Sequence, residues 1–370
     1  MKNIIICCDG TSNDFGDKNS NVVKLFSLLE KETERQIVYY DPGVGTSSAY
    51  ESFNPLVKKL KYVLGQAFGY GLTRNIVDAY WFLMQAYEEG DRVYLFGFSR
   101  GAYTVRALAG LLHNCGLLHA NSQNLIPEAL RIYRVRGNYK TAAAFKKTFS
   151  RECPVHFLGL WDTVTSVGWI YDPVRLQSTT NNPNVKHVRH AISIDERRAF
   201  FRQNLWGEKY KEKQSVKQVW FAGVHSDVGG SYTLDKSALS NITLEWMLNE
   251  ALEQEIYLQD LDEARKMVNG ISDPHLQDHN RSLAGFWYVA EIWPKIVRIK
   301  KEKAGGKTVW VSRPYFNIGR SRWVPEKATI HESVLLRLQH REDYRPPKLL
   351  GKRPIEEAVS QYNVEPWRRI

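Results

Sequence analysis

Short apolar runs alternate with longer stretches of helical spacing through the first two thirds of the chain. Residues 4–8 are a continuous apolar run and predict a short buried strand, and residues 22–29 predict a helix. A second strand is expected over 36–40, and a helix with one apolar face over 72–87. Another strand follows over 93–98, then helical spacing from Tyr103 to Leu112. Beyond it the pattern predicts a helix over 125–149, strands over 155–161, 190–194 and 216–221, and an amphipathic helix over 240–258 whose face carries Leu244, Met247, Leu248 and Leu252. Strands alternating with helices in this way predict an α/β fold, a mostly parallel sheet with helices on both faces.

The strand ends carry the chemistry. In open α/β sheets, sites assemble at the carboxyl edge of the strands. The 155–161 strand ends in Asp162, the 190–194 strand in Asp195, and the 216–221 strand runs into Gly223-Val224-His225. The 93–98 strand leads into Gly97-Phe98-Ser99-Arg100-Gly101 and directly into a helix, which is the Gly-x-Ser-x-Gly nucleophile elbow of α/β-hydrolases. Serine is a weak nucleophile and needs a base to take its proton. The chain order Ser99, then Asp162 or Asp195, then His225 fits a serine, acid and histidine set on that scaffold. Asp162 is the favoured acid; Asp195, followed by Glu196-Arg197-Arg198, also reads as an ion-paired helix start. His331, in Ile330-His331-Glu332-Ser333, is the rival base.

An acyl-transfer site also needs backbone N–H donors for the oxyanion. Arg100, after the serine, would supply one, and Gly10 or Thr11, in the Asp9-Gly10-Thr11 loop after the first strand, the other. That loop is not a haloacid-dehalogenase phosphatase signature, because the position two residues before Asp9 is Cys7. The chemistry requires no metal or cofactor, and none is expected.

Composition changes this picture little. A chain of 370 residues is long for one minimal domain, so a catalytic core over 1–259 is expected, with a C-terminal appendage over 260–370 packed beside it. Cys7, Cys8, Cys115 and Cys153 have neither a C-x-x-C nor a metal-ligand spacing and read as small core residues. No stretch approaches the roughly 20 apolar residues that span a bilayer. The N-terminal apolar run is too short for a signal peptide, so a cytoplasmic location is expected unless a dedicated system exports the protein.

Charge changes it more. The formal net charge is +11, and Lys295, Arg298, Lys300, Lys301, Lys303, Lys307, Arg313, Arg320 and Arg322 fall in one stretch with Glu302 the only acid among them. Such a stretch reads either as a solvated basic surface or as a peripheral contact for an anionic membrane; nucleic acid is not the expected partner.

Several motifs in order resemble the DUF2235 family of α/β-hydrolases, related to the Tle1-type phospholipase effectors of bacterial type VI secretion. They are Cys8-Asp9-Gly10-Thr11, Asn21-Val22, the run from Tyr40 to Thr46, the elbow from Gly97 to Tyr103, Trp161-Asp162-Thr163-Val164, Asp195-Glu196-Arg197, and the run from Trp220 to Gly230; Ile330-His331-Glu332-Ser333-Val334 matches more loosely. The resemblance implies a triad falling on Ser99, Asp162 and His225, and ester hydrolysis on phospholipids. Esterase action on small soluble substrates, and a degenerate hydrolase scaffold acting as a basic binding module for nucleic acid or anionic partners, are the alternative expectations.

Overall fold

The computed structural model describes residues 1–10, 16–43, 66–164, 176–283 and 308–370 except 352, with the short pieces 168–169, 172–173, 288, 291 and 295–302. Among the described residues, eight strands form one sheet in which every pairing is parallel. Numbering the strands of this sheet alone, they are β1 (Asn3–Cys8), β2 (Gln36–Asp41), β3 (Arg92–Phe98), β4 (Val155–Trp161), β5 (Val185–Ser193), β6 (Ser215–Phe221), β7 (Thr329–His331) and β8 (Asn363–Glu365). Their spatial order is β8-β7-β6-β5-β4-β3-β1-β2, so the winding reverses between β1 and β3. That reversal opens a crevice at the carboxyl ends of β1 and β3.

The principal helices are α1 (Asn21–Leu28), α2 (Gln66–Ala86), α3 (Arg100–Cys115), α4 (Ile126–Arg134), α5 (Tyr139–Phe149), α6 (His225–Gly229) and α7 (Ala238–Leu252). Side chains of a strand alternate between faces, and both faces of the central strands are apolar. On β1, Ile4, Ile6 and Cys8 pack with α2 and α3, while Ile5 and Cys7 pack with α1 and α7. The same division separates Val93 and Leu95 from Tyr94, Phe96 and Phe98 on β3. All four cysteines are buried free thiols.

Three expectations are modified. The single helix expected over 125–149 is two helices, broken where Gly137 adopts φ +81°. The strand expected at 190–194 begins at Val185, because His187, Val188 and Arg189 pair with β4 and β6. The part of the chain after residue 260 also enters the sheet itself: β7 pairs with β6, β8 pairs with β7, and a third apolar cluster joins Ile192, Ile194 and Trp220 to Ile330, Val334, Leu338 and Leu349. Lys295–Glu302 and Thr308–Tyr315 form a separate antiparallel ribbon. Among the described residues no helix is long and apolar enough to cross a membrane.

Candidate active site

Ser99 stands between β3 and α3 at the crevice, with φ +58° and ψ −115°. A non-glycine residue at positive φ carries backbone strain, tolerated only where the surroundings over-determine it. Here the strained position is the serine itself, while the flanking glycines answer crowding. A Cβ on Gly101 would lie 2.0 Å from the Cys8 carbonyl oxygen, so only glycine lets the start of α3 sit on the end of β1; one on Gly97 would lie 2.6 Å from the backbone of Gly101 and Ala102. The Ser99 amide donates to Trp161 O at 3.0 Å, tying the elbow to the end of β4.

His225 begins α6, just past the end of β6. Gly223 turns the chain at φ +105°, and a Cβ there would meet the Asp227 side chain at 2.4 Å. Asp227 closes the loop by accepting from Val224 N at 2.9 Å and from Asn280 N and Nδ2 at 3.0 and 2.7 Å. The imidazole is buried between the rings of Phe98 and Phe201, each with its centroid 4.7 Å away.

Its two nitrogens face different partners. Nδ1 lies 2.5 Å from Asp162 Oδ2, and Nε2 lies 2.8 Å from Ser99 Oγ. An ionised carboxylate only accepts, so Nδ1 carries the proton and the serine hydroxyl donates to Nε2. Burial lowers the ring's pKa below its ordinary value, against the opposing pull of Asp162.

Asp162 is fully buried at the end of β4. Burial works to raise its carboxyl, but the Arg322 charge and the His225 hydrogen bond outweigh it and hold the group well below the usual carboxylate range. Arg322 Nη1 donates to Oδ1 at 2.5 Å and Nη2 to Oδ2 at 3.0 Å. Ser193 adds its amide at 3.0 Å to Oδ1. The guanidinium is itself buried, and further held by Ser193 Oγ at 2.8 Å and Phe201 O at 3.0 Å. Contrary to the basic surface expected from its place in the charged stretch, Arg322 is an internal partner of Asp162. Arg313 and Arg320 are exposed, and Lys303 and Lys307 lie outside the described residues.

The other candidates have different work. Asp195 accepts from Gly223 N at 2.7 Å and Tyr344 Oη at 2.9 Å, linking the ends of β5 and β6 to the C-terminal segment, and has no bond to His225. Glu196, beside it, accepts from the His225 amide at 3.2 Å and from Arg198 Nε and Nη2 at 2.9 and 2.8 Å. Burial would raise Glu196, yet the Arg198 hydrogen bonds and charge hold it at about 2. His331 caps the helix Glu332–His340 through Ser333 N and stacks on Phe221; burial pushes its pKa down to about 3. Asp9 accepts from Gly10 N at 2.6 Å, Ser20 Oγ at 2.6 Å and Tyr40 Oη at 3.1 Å. Gly10's amide is thus spent on a carboxylate and, in this conformation, is not an oxyanion donor. Thr11 lies outside the described residues.

Sequence reading missed Arg322 and Glu196 as site residues. Arg322 lay hidden among other cations, 160 residues from Asp162 in the chain. The only available signal for Glu196 was its adjacency to Asp195 and to two arginines.

An eight-stranded parallel sheet, a strained serine between strand and helix, and a histidine delivered after a later strand define an α/β-hydrolase-like protein. The chain belongs to the family described as "T6SS, Phospholipase effector Tle1-like, catalytic domain", which it matches over residues 2–250. An uncharacterized protein of Saccharomyces cerevisiae, YEL023C, is 41% identical over 222 residues, covering 55% of this chain and 32% of that one. Among solved structures, an uncharacterized protein from Pseudomonas aeruginosa is 21% identical over 71% of this chain and 47% of its own, with a TM-score of 0.42. The Tle1 effector bound to the VgrG spike of the type 6 secretion system is 20% identical over 64% of this chain and 52% of its own, with a TM-score of 0.39. The chain thus spans about a third of the yeast relative and about half of each solved chain.

Proposed function

We propose that this protein is a serine esterase that hydrolyses carboxylic esters of phospholipids through an acyl-enzyme. The observation that carries the reading is the unbroken line of hydrogen bonds from Asp162 through His225 to Ser99 at the carboxyl edge of the sheet. Family membership supports the lipid substrate.

Ser99 Oγ attacks the ester carbonyl while His225 Nε2 takes its proton. Asp162 keeps Nδ1 protonated and stabilises the imidazolium that forms. The developing oxyanion is received by the Arg100 amide at the N-terminus of α3, where the aligned peptide dipoles of the helix favour negative charge. The imidazolium then protonates the leaving alcohol as the tetrahedral intermediate collapses. Water, activated by the same histidine, releases the acyl group and restores the serine. In this reading residues 1–259 carry the three reacting side chains, and 260–370 supply the arginine that holds the acid.

A fluorophosphonate probe tests the nucleophile. Wild-type protein is expected to label covalently and Ser99→Ala to remain unlabelled. Equal labelling of both, or none of the wild type, would remove the proposal. Turnover on phospholipid vesicles compared with dispersed short-chain esters separates a lipid esterase from one acting on small soluble substrates.

A further inference from the structure

The segment 316–323 departs from ordinary surface chemistry in two independent ways. Asn317-Ile318-Gly319-Arg320 is a tight turn closed by Arg320 N donating to Asn317 O at 3.1 Å. Its central residues have φ +50° and +63°, the mark of a mirror-image turn that favours Asn-Gly. Isoleucine is β-branched, and at positive φ it is strained in a way asparagine or glycine would not be. Its side chain is also 71% exposed. Both the backbone and the hydration of Ile318 are thus unfavourable in the free molecule.

Its neighbours extend the pattern. Trp323 is 63% and Phe316 45% exposed, so three of the twelve large apolar side chains exposed among the described residues fall within eight positions. Arg313 and Arg320 are exposed beside them. The turn's polar groups point inward: Asn317 Nδ2 donates to Glu291 Oε2 at 2.8 Å and Arg197 O at 2.6 Å, Gly319 N donates to Glu291 Oε2 at 3.1 Å, and Arg197 Nε donates to Gly319 O at 2.6 Å. A backbone held this firmly presents its apolar side chains without collapsing them onto the protein.

We propose that Phe316, Ile318 and Trp323, flanked by Arg313 and Arg320, form an anchor that inserts into the interfacial zone of an anionic phospholipid surface. Aromatic and aliphatic side chains partition into that zone, and arginines beside them meet the lipid phosphates. The net charge of +11 adds long-range attraction. The anchor's position gives it a use: Arg322, within the same segment, grips Asp162, and Gln203 Nε2 donates to Trp323 O at 3.1 Å from the loop that carries Phe201 over His225. Docking there would bring the surface to the rim of the site. In purpose the anchor rests on the lipid-ester reading; in geometry it stands apart from it.

Co-sedimentation with vesicles tests the anchor. Full-length Ser99→Ala protein, which leaves the lipid intact, is mixed with phosphatidylcholine vesicles with or without phosphatidylglycerol. Preferential binding to the anionic vesicles is expected, with a partition coefficient lowered about tenfold or more by Phe316→Ser with Ile318→Asn. Ile318→Asn alone relieves the turn, so its melting temperature should equal or exceed that of the parent while its vesicle binding falls. A destabilised but normally binding Ile318→Asn protein would overturn the proposal. So would absence of vesicle binding by the parent, or self-association abolished by the paired substitution without any vesicle binding, which would assign the face to a second copy of the chain. Loop-dependent binding by a protein whose serine never labels would remove the esterase reading and leave the anchor standing.

Discussion

At the scale of single residues, the site rests on one buried carboxylate with two cationic or potentially cationic neighbours. Because Asp162, not Asp195, meets His225, Asp162→Asn is expected to lower turnover by about 10³-fold or more, whereas Asp195→Asn should change it only a few-fold. Comparing kcat for the two variants decides between them. Arg322→Met leaves Asp162 buried without its partner, and breaking such a pair costs about 3–5 kcal/mol of stability. Urea unfolding measures that loss. The same variant should move the acidic limb of kcat/KM to higher pH, since an unneutralised Asp162 stabilises the imidazolium more. In the proposed mechanism of the wild type, His225 must be neutral to accept the serine's proton, and it is neutral above its pKa. Burial depresses that pKa, so the acidic limb should fall below the ordinary histidine value of 6.5. A limb at or above 6.5 in a pH–rate profile would contradict the account. The serine, acid and histidine were legible as residue types at strand ends because parallel strands deliver their carboxyl ends to one edge. Arg322 was not, because nothing local distinguishes an arginine that turns inward from eight neighbouring cations that read as surface.

At the scale of elements, the elbow works because β1, β3 and α3 approach more closely than side chains permit. Gly101→Ala would drive a Cβ into the Cys8 carbonyl, a backbone atom that cannot rotate away. A loss of about 1–3 kcal/mol is expected from such overpacking, together with displacement of Ser99 from His225. Thermal melts and fluorophosphonate labelling rates would both register it. Six of the eight strands, β1 to β6, and their order of appearance followed from short apolar runs, since strands buried on both faces need apolar residues at every position, whereas the three-residue strands β7 and β8 are too short to show such a run. Boundaries were less legible. β5 begins earlier than its apolar pattern because His187, Val188 and Arg189 pair with both neighbouring strands, the buried Arg189 being neutralised there by Glu250, an ion pair made across the fold. The break between α4 and α5 depends on one glycine, Gly137, inside an otherwise helical pattern.

At the scale of the whole molecule, the site is finished by chain that lies far beyond the family match. That match ends at residue 250, while the arginine gripping Asp162 is at 322 and the last two strands lie between 329 and 365. A chain ending at residue 250 would expose the edge of β6 and strand a buried carboxylate. It is therefore expected to be insoluble, or soluble but unlabelled by the probe; soluble protein labelling at the full-length rate would show that the C-terminal part is dispensable. The sequence by itself determined the α/β class, the elbow and the residue types available at the sheet's edge, because periodicity and turn chemistry are local properties of the chain. Only the tertiary structure decided which carboxylate meets the histidine, that an arginine closes over it, and that the C-terminal segment completes the sheet. Those depend on contacts between residues 30 to 160 positions apart, which the packing of apolar faces brings together and no local pattern encodes.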